Sequence, residues 1–154
     1  PVIPINERCW HLYRNDPAKR ERLIEIIAKN QAIVLTAHLH LYAIVKRETA
    51  FGPIIQLSLN SVVRDLNRTT TSKVHTIYGW RLAADCPDWQ PETLTQRLKW
   101  LDDESKYVTF FKQQELPGYG ILTTNPLRNE LFFEYYSAIS SVPYERICLS
   151  DLLK

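Results

Sequence analysis

The sequence predicts an α/β fold: a helix, a buried strand and a hairpin in the first half, then a small β-rich C-terminal subdomain. Three observations carry this. Asp16-Pro17 opens an amphipathic stretch that hands directly to the apolar run 32–37, which is a helix followed by a short strand. Two further apolar runs flank Gly52-Pro53, the punctuation of a hairpin. From Tyr107 onward, short segments rich in Phe, Tyr and Thr alternate with turn residues, as in an antiparallel sheet.

Each element has its own justification. Residues 1–4 hold two prolines and read as an extended lead-in, because Pro fixes φ and removes a donor. Residues 5–14 mix polar and aromatic side chains and read as a loop; nothing near His11 has ligand spacing. Asp16 suits an N-cap and Pro17 the first helical position, so a helix runs from Pro17 to about Asn30. Leu23, Ile24, Ile26, Ile27 and Ala28 form its apolar stripe, while Lys19, Arg20, Glu21, Arg22, Glu25 and Lys29 face water. Asn30 suits the C-terminal cap. Residues 41–45 and 54–59 are the strands of the hairpin. Residues 66–75 are polar and Thr-rich and read as a connector, with His75 a surface residue. Pro91 opens a second helix, with Leu94, Leu98 and Leu101 at helical spacing, that ends near Ser105. Strands follow near 107–111, 121–124, 131–138 and 145–148. In the third of these, Phe133 and Tyr135 share one face, and Phe132, Glu134 and Tyr136 the other; the aromatic stripe reads as sheet core, given the area such rings bury.

Composition narrows the function classes. With 154 residues, 45% hydrophobic, the chain can bury one core or one core plus a satellite. Lys and Arg number 19 against 17 acidic residues, for a net charge of +2; such a balance argues for neither a nucleic-acid groove nor an anionic membrane surface. No apolar run approaches the length of a membrane span, and any signal peptide lies upstream of this chain. Cys9, Cys86 and Cys148 are far apart and odd in number. They show no zinc spacing or disulfide framework, read as buried thiols, and leave the redox compartment open. There is no internal repeat, no Gly-rich phosphate loop and no nucleophile elbow.

The stretch with chemistry is Ala37-His38-Leu39-His40. On a strand, residues two apart face the same way, so His38 and His40 present two imidazoles on one side. Such a pair can grip one metal ion, or two adjacent ions, and neutral imidazole suits zinc, iron, manganese or nickel alike. The alternative is a non-catalytic binding or packing module whose histidines are incidental. A cupin would need Glu after a gap of three or four residues from the second His, where Ile44 and Val45 stand.

Ala37-His38-Leu39-His40, preceded by Ile33-Val34-Leu35-Thr36 and followed by Leu41-Tyr42, resembles the last motif, Gly-His-x-His, of the calcineurin-like metallophosphoesterases. Pro1-Val2-Ile3-Pro4 resembles the segment just after that family's lone metal-binding His, which places that His immediately before residue 1. The tail from about Lys106, with Gly118-Tyr119-Gly120 and Phe133-Glu134-Tyr135-Tyr136, is similar to the β-rich extension of bacterial members. The resemblance implies that the chain is the C-terminal part of a metallophosphoesterase α/β sandwich, hydrolysing phosphate mono- or diesters. It implies two divalent ions (Mn, Fe or Zn), with His38 on the second metal and His40 on the first. Those ions activate a bridging hydroxide and clamp the phosphate oxygens for in-line displacement. The implied divisions are 1–66, the last segment of the catalytic domain; 67–105, a connector with a helix; and 106–154, an accessory β-domain.

Two departures matter. Ala37 stands where the family has Gly, which is a strain only if the position needs positive φ. The family's other ligands find no counterpart in residues 1–30, so the upstream part of the same domain must supply them. With two donors, the chain alone should hold metal poorly and be inactive. Its partners are then a phosphate-ester substrate and that upstream part. An edge strand left uncovered is a route to a dimer of the chain on its own.

Overall fold

A computed structural model of the chain describes residues 2–4, 17–37, 41–62, 94–114 and 116–154. Helix α1 spans Pro17–Lys29, and the pyrrolidine at its first position pre-sets φ for the opening turn. At the other end Asn30 Nδ2 donates to the Ile26 carbonyl at 2.8 Å, and Gln31 turns left-handed with φ +49°, which stops the helix. The buried stripe of α1 is Arg20, Ile24, Ile27 and Ala28, an i, i+4, i+7, i+8 pattern. This corrects the sequence expectation twice. Arg20 lies under the helix rather than in water, and Leu23 and Ile26, assigned to the stripe, are exposed.

Four strands make the first sheet: β1 (Ile33–Thr36), β2 (Tyr42–Arg47), β3 (Ile54–Ser58) and β4 (Val108–Gln114). Their order is β1-β3-β2-β4. β1 runs parallel to β3, with Thr36 opposite Ser58; β2 is antiparallel to both β3 and β4. The hairpin of β2 and β3 is as expected. Among the described residues β1 is an edge strand rather than a buried one, and Leu35 keeps 57% of its surface exposed. β4 lies in the tail segment, yet its partner is β2 of this first sheet.

β2 and β3 are covered on both faces, which is why they read as nearly continuous apolar runs. Tyr42 and Ile44 of β2 and Ile55 and Leu57 of β3 point into one core, with Phe133, Tyr135 and Leu149. Val45 and Ile54 point into a second, with Ile3, Ile24, Ile27 and Ala28. Each fully buried aliphatic or aromatic chain contributes about 1.5–3 kcal/mol. In β4 the register shifts between Lys46, opposite Phe110, and Arg47, opposite Val108. Thr109 is the extra residue of a bulge, and it flips the side-chain phase. Val108 therefore packs on the helix-side core and Phe110 on the other.

The second sheet is β5 (Gly118–Asn125), β6 (Glu130–Ser137) and β7 (Glu145–Cys148), antiparallel in that order. Phe133 and Tyr135 on β6 face the first sheet and are buried, as their alternation predicts. A Cβ at Gly120 would run into the Phe133 ring, and one at Gly118 into the Tyr136 carbonyl, so this close approach requires glycine. Two further helices are described: α2 (Leu94–Ser105) and the short α3 (Leu149–Leu152), which the sequence did not signal. Pro91 and the connector 66–75 lie outside the described residues. The class is mixed α/β, with two sheets and three helices among the described residues. No helix there is long and apolar enough to cross a membrane.

Candidate functional site

In the first sheet, the parallel pair β1 and β3 ends at the same edge where β2 begins and β4 ends. Thr36 stands opposite Ser58, Ala43 opposite Ser58, and Tyr42 opposite Gln114. The carboxyl edge of parallel strands is where α/β sheets gather ligands, because loops and unpaired backbone groups converge there. This edge is polar. Thr36 Oγ1 and Ser58 Oγ are 2.7 Å apart, and the Leu59 N–H donates to the Thr36 carbonyl at 2.9 Å. The Ser61 N–H donates to Asn60 Oδ1 at 2.7 Å, and the Ser61 carbonyl accepts from Gly118 N at 3.1 Å.

His38 and His40 belong to the interval 38–40, which joins Ala37 past the end of β1 to Leu41 before β2 and lies outside the described residues. So do His11, His75 and the cap position Asp16. Ala37 itself is described and exposed. Positive φ occurs among the described residues only at Gln31, Asn129 and Gly52, so Ala37 carries no left-handed strain. Among the described residues no three His, Cys, Asp or Glu side chains converge as a metal site. Two imidazoles fit a divalent ion by donor chemistry, but they are too few to complete its coordination.

Tyr42 opens β2 at this edge. Its ring stacks on Tyr135 with centroids 4.0 Å apart and meets the edge of Tyr144 at 6.4 Å. Its hydroxyl is buried with no hydrogen-bond partner among the described residues. Burial first, then the Glu145 charge, drives the phenol's pKa far above the ordinary range. The Tyr135 hydroxyl is satisfied, donating to the Leu116 carbonyl at 2.6 Å; burial pushes its pKa up to about 12.

The opposite edge carries a cleft of about 560 Å³ between α1, the β2–β3 turn and Tyr107. Its charged lining is mutually engaged. Glu25 holds Arg22 and Lys29, each at 2.6 Å, and Lys29, then Arg22, keeps that carboxyl below its usual range. Beneath the cleft, Glu104 Oε1 accepts from Arg20 Nη2 at 2.7 Å and Arg47 Nε at 2.6 Å, and all three side chains are buried. This network joins α1, β2 and α2, and no sequence spacing announces it.

Gln56 was also missed. It sits at 0% exposure on the helix side of β3. Its Oε1 accepts from Val2 N at 2.8 Å and Ile3 N at 2.9 Å, and its Nε2 donates to the Ile3 carbonyl at 2.8 Å. The one signal in the sequence is a polar residue inside the apolar run Ile54-Ile55-Gln56-Leu57. Cys148 is a half-buried free thiol rather than a buried one, and Cys9 and Cys86 lie outside the described residues. Comparison with family models, curated proteins and solved structures finds no match to this chain.

Proposed function

We propose that the chain is the C-terminal part of a dinuclear-metal phosphoesterase acting on phosphate mono- or diesters, with His38 and His40 as its contribution to the metal centre. The observation that carries this is topological. β1, from which the chain runs on through Ala37 to the two histidines, is a parallel strand that ends at the carboxyl edge of a sheet with the hydroxyls of Thr36 and Ser58 paired there, where ligand sites form. The ordinary φ of Ala37 removes the objection to alanine in a motif that has glycine.

A second observation supports the incompleteness of the piece. Among the described residues β1 has no partner strand on its outer side, and Leu35, together with Leu23 and Ile26 of α1, is exposed. Upstream strands of the same domain would cover such a surface. A pair of divalent ions, Mn, Fe or Zn, would supply Lewis-acid charge to the phosphate. The role of this chain is to present His38 to one ion and His40 to the other as neutral donors, so binding weakens as the imidazoles protonate.

The test is hydrolysis of an aryl phosphate ester by the full-length polypeptide with added manganese. Loss of rate in His40→Ala supports the proposal, and an unchanged rate removes it. The lack of a three-donor cluster among the described residues equally suits a non-catalytic packing module. Calorimetric titration of residues 1–154 with zinc and manganese bears on that: tight stoichiometric binding means a self-contained site, whereas no heat at millimolar metal leaves an incomplete or incidental one.

A further inference from the structure

We propose that the cleft between α1, the β2–β3 turn and Tyr107 binds an aromatic carboxylate, with Arg47 at its floor to take the acid group and the Phe51 and Tyr107 rings as its apolar walls. The proposal stands apart from the phosphoesterase function, since the cleft lies at the sheet edge opposite the carboxyl end of β1. Its volume of about 560 Å³ is that of a small-molecule site.

Arg47 carries the argument. It is only 6% exposed, and a buried guanidinium is costly unless its donors are matched. Nε donates to Glu104 at 2.6 Å and Nη1 to the Glu48 carbonyl at 3.3 Å, which uses two of the five N–H groups of the fork. Nη2 has no hydrogen-bond partner among the described residues. Nor is it sealed in: among those residues the fully buried side-chain polar atom without a partner is the Tyr42 hydroxyl alone. The Nε edge of the guanidinium is thus closed by Glu104, while its Nη edge opens on the cleft that Arg47 lines.

The surroundings select what can meet that edge. The carboxylates of the cleft wall are already engaged, Glu21 by Arg20, Glu25 by Arg22 and Lys29, and Glu48 by Lys46. The wall therefore has no spare charge for a cation, whereas the guanidinium keeps N–H groups in the plane that suits a carboxylate. The same glutamates repel a dianion more than a monoanion, which favours a carboxylate over a phosphate monoester. Phe51 and Tyr107 are 48% and 52% exposed, and each has a cation against one face, Lys29 at 4.7 Å and Arg47 at 4.9 Å. Exposed rings beside a buried guanidinium offer stacking area to an aryl group. The turn that carries Phe51 is pinned: Thr49 Oγ1 accepts from the Phe51 N–H at 3.0 Å and donates to the Gly52 carbonyl at 2.6 Å. That wall is preformed, which lowers the cost of binding.

The test titrates naphthoate into the full-length polypeptide by ligand-detected NMR, with naphthamide and inorganic phosphate as comparison probes. The expected result is saturable naphthoate binding with a Kd on the order of 1 mM or tighter, and at least about tenfold weaker binding of the neutral amide, which forgoes the charge-assisted pair. Arg47→Lys keeps the charge, removes the fork and should weaken naphthoate by about the same factor. Phe51→Ala deletes one wall, leaves Glu104 and its arginines untouched, and should weaken naphthoate about fivefold at unchanged Tm. No saturation by about 10 mM, equal binding of the amide, or wild-type affinity in Phe51→Ala overturns the proposal. Phosphate binding tighter than naphthoate overturns the ligand class. Should Arg47→Lys not fold, the amide comparison and Phe51→Ala decide.

Discussion

Replacing Glu104 by alanine leaves two arginines beneath α1 without their shared carboxylate. Glu104 Oε1 receives Arg20 at 2.7 Å and Arg47 at 2.6 Å, and the two guanidinium side chains are only 3% and 7% exposed. Breaking a buried pair by removing one partner costs about 3–5 kcal/mol, because the remaining charge cannot be hydrated in place. For a chain of this length each kcal/mol lowers Tm by about 2–4 °C, so the expected drop is about 6–20 °C. Circular dichroism during heating, and urea midpoints at unchanged m-value, measure it. A second arm separates charge from packing. Adding Arg20→Leu and Arg47→Met to Glu104→Ala removes both guanidinium charges and should restore most of the loss. A loss below about 1 kcal/mol in Glu104→Ala, the value of an exposed pair, would refute the reasoning by showing that the network is hydrated.

Tyr42→Phe deletes a buried hydroxyl with no partner among the described residues, and should stabilise the chain by about 1 kcal/mol, whereas Tyr135→Phe forfeits the bond to Leu116 and should cost about as much; chemical denaturation of the pair checks the opposite signs, and equal signs refute them. Burial raises both phenols, so their contribution is complete below the ordinary tyrosine pKa of about 10 and is lost as pH climbs toward the folded value of about 12 for Tyr135. Tyrosinate absorbance should accordingly show two of the eight tyrosines ionising only as the fold opens; all eight titrating together in intact protein would contradict this. Residues 1–154 alone should dimerise through the uncharged edge β1, with Leu35→Lys returning a monomer by light scattering; a monomeric parent chain removes the prediction.

Much of the fold was legible where the deciding interactions are local. Pro17 marks the start of α1 and Asn30 its end, since both act within one turn. Phe133 and Tyr135 were assignable to the core because period-two alternation fixes the face. The failures are long-range. A helical wheel puts Arg20 on the face of Ile24, Ile27 and Ala28, but its charge reads as solvent-facing until distant partners, Glu104 84 residues away and the Val2 carbonyl, are brought to it. Gln56 reads as an interruption until Ile3, 53 residues away, is laid against it. Leu23, Ile26 and Leu35 carry the apolar pattern of buried positions yet are exposed. For the candidate site, the histidine spacing is legible in the sequence while 38–40 lie outside the described residues, and the hydroxyl pair of Thr36 and Ser58 depends on a parallel register that no local signal encodes.

The junction between β2 and β4 has a kinetic consequence. The two strands meet across a wide sequence gap, with Thr109 bonding Glu48 61 residues away. Closing such a loop costs roughly 4 kcal/mol of chain entropy, against roughly 2 for the short β2–β3 turn. The hairpin should consequently assemble first and serve as the template on which the C-terminal half docks. Truncations in Ile44 or Leu57 should then slow refolding, whereas truncation of Val108 should mainly hasten unfolding. Nascent chains would carry a bare strand flank until the later half emerges, which marks β2 as the place where off-pathway association begins.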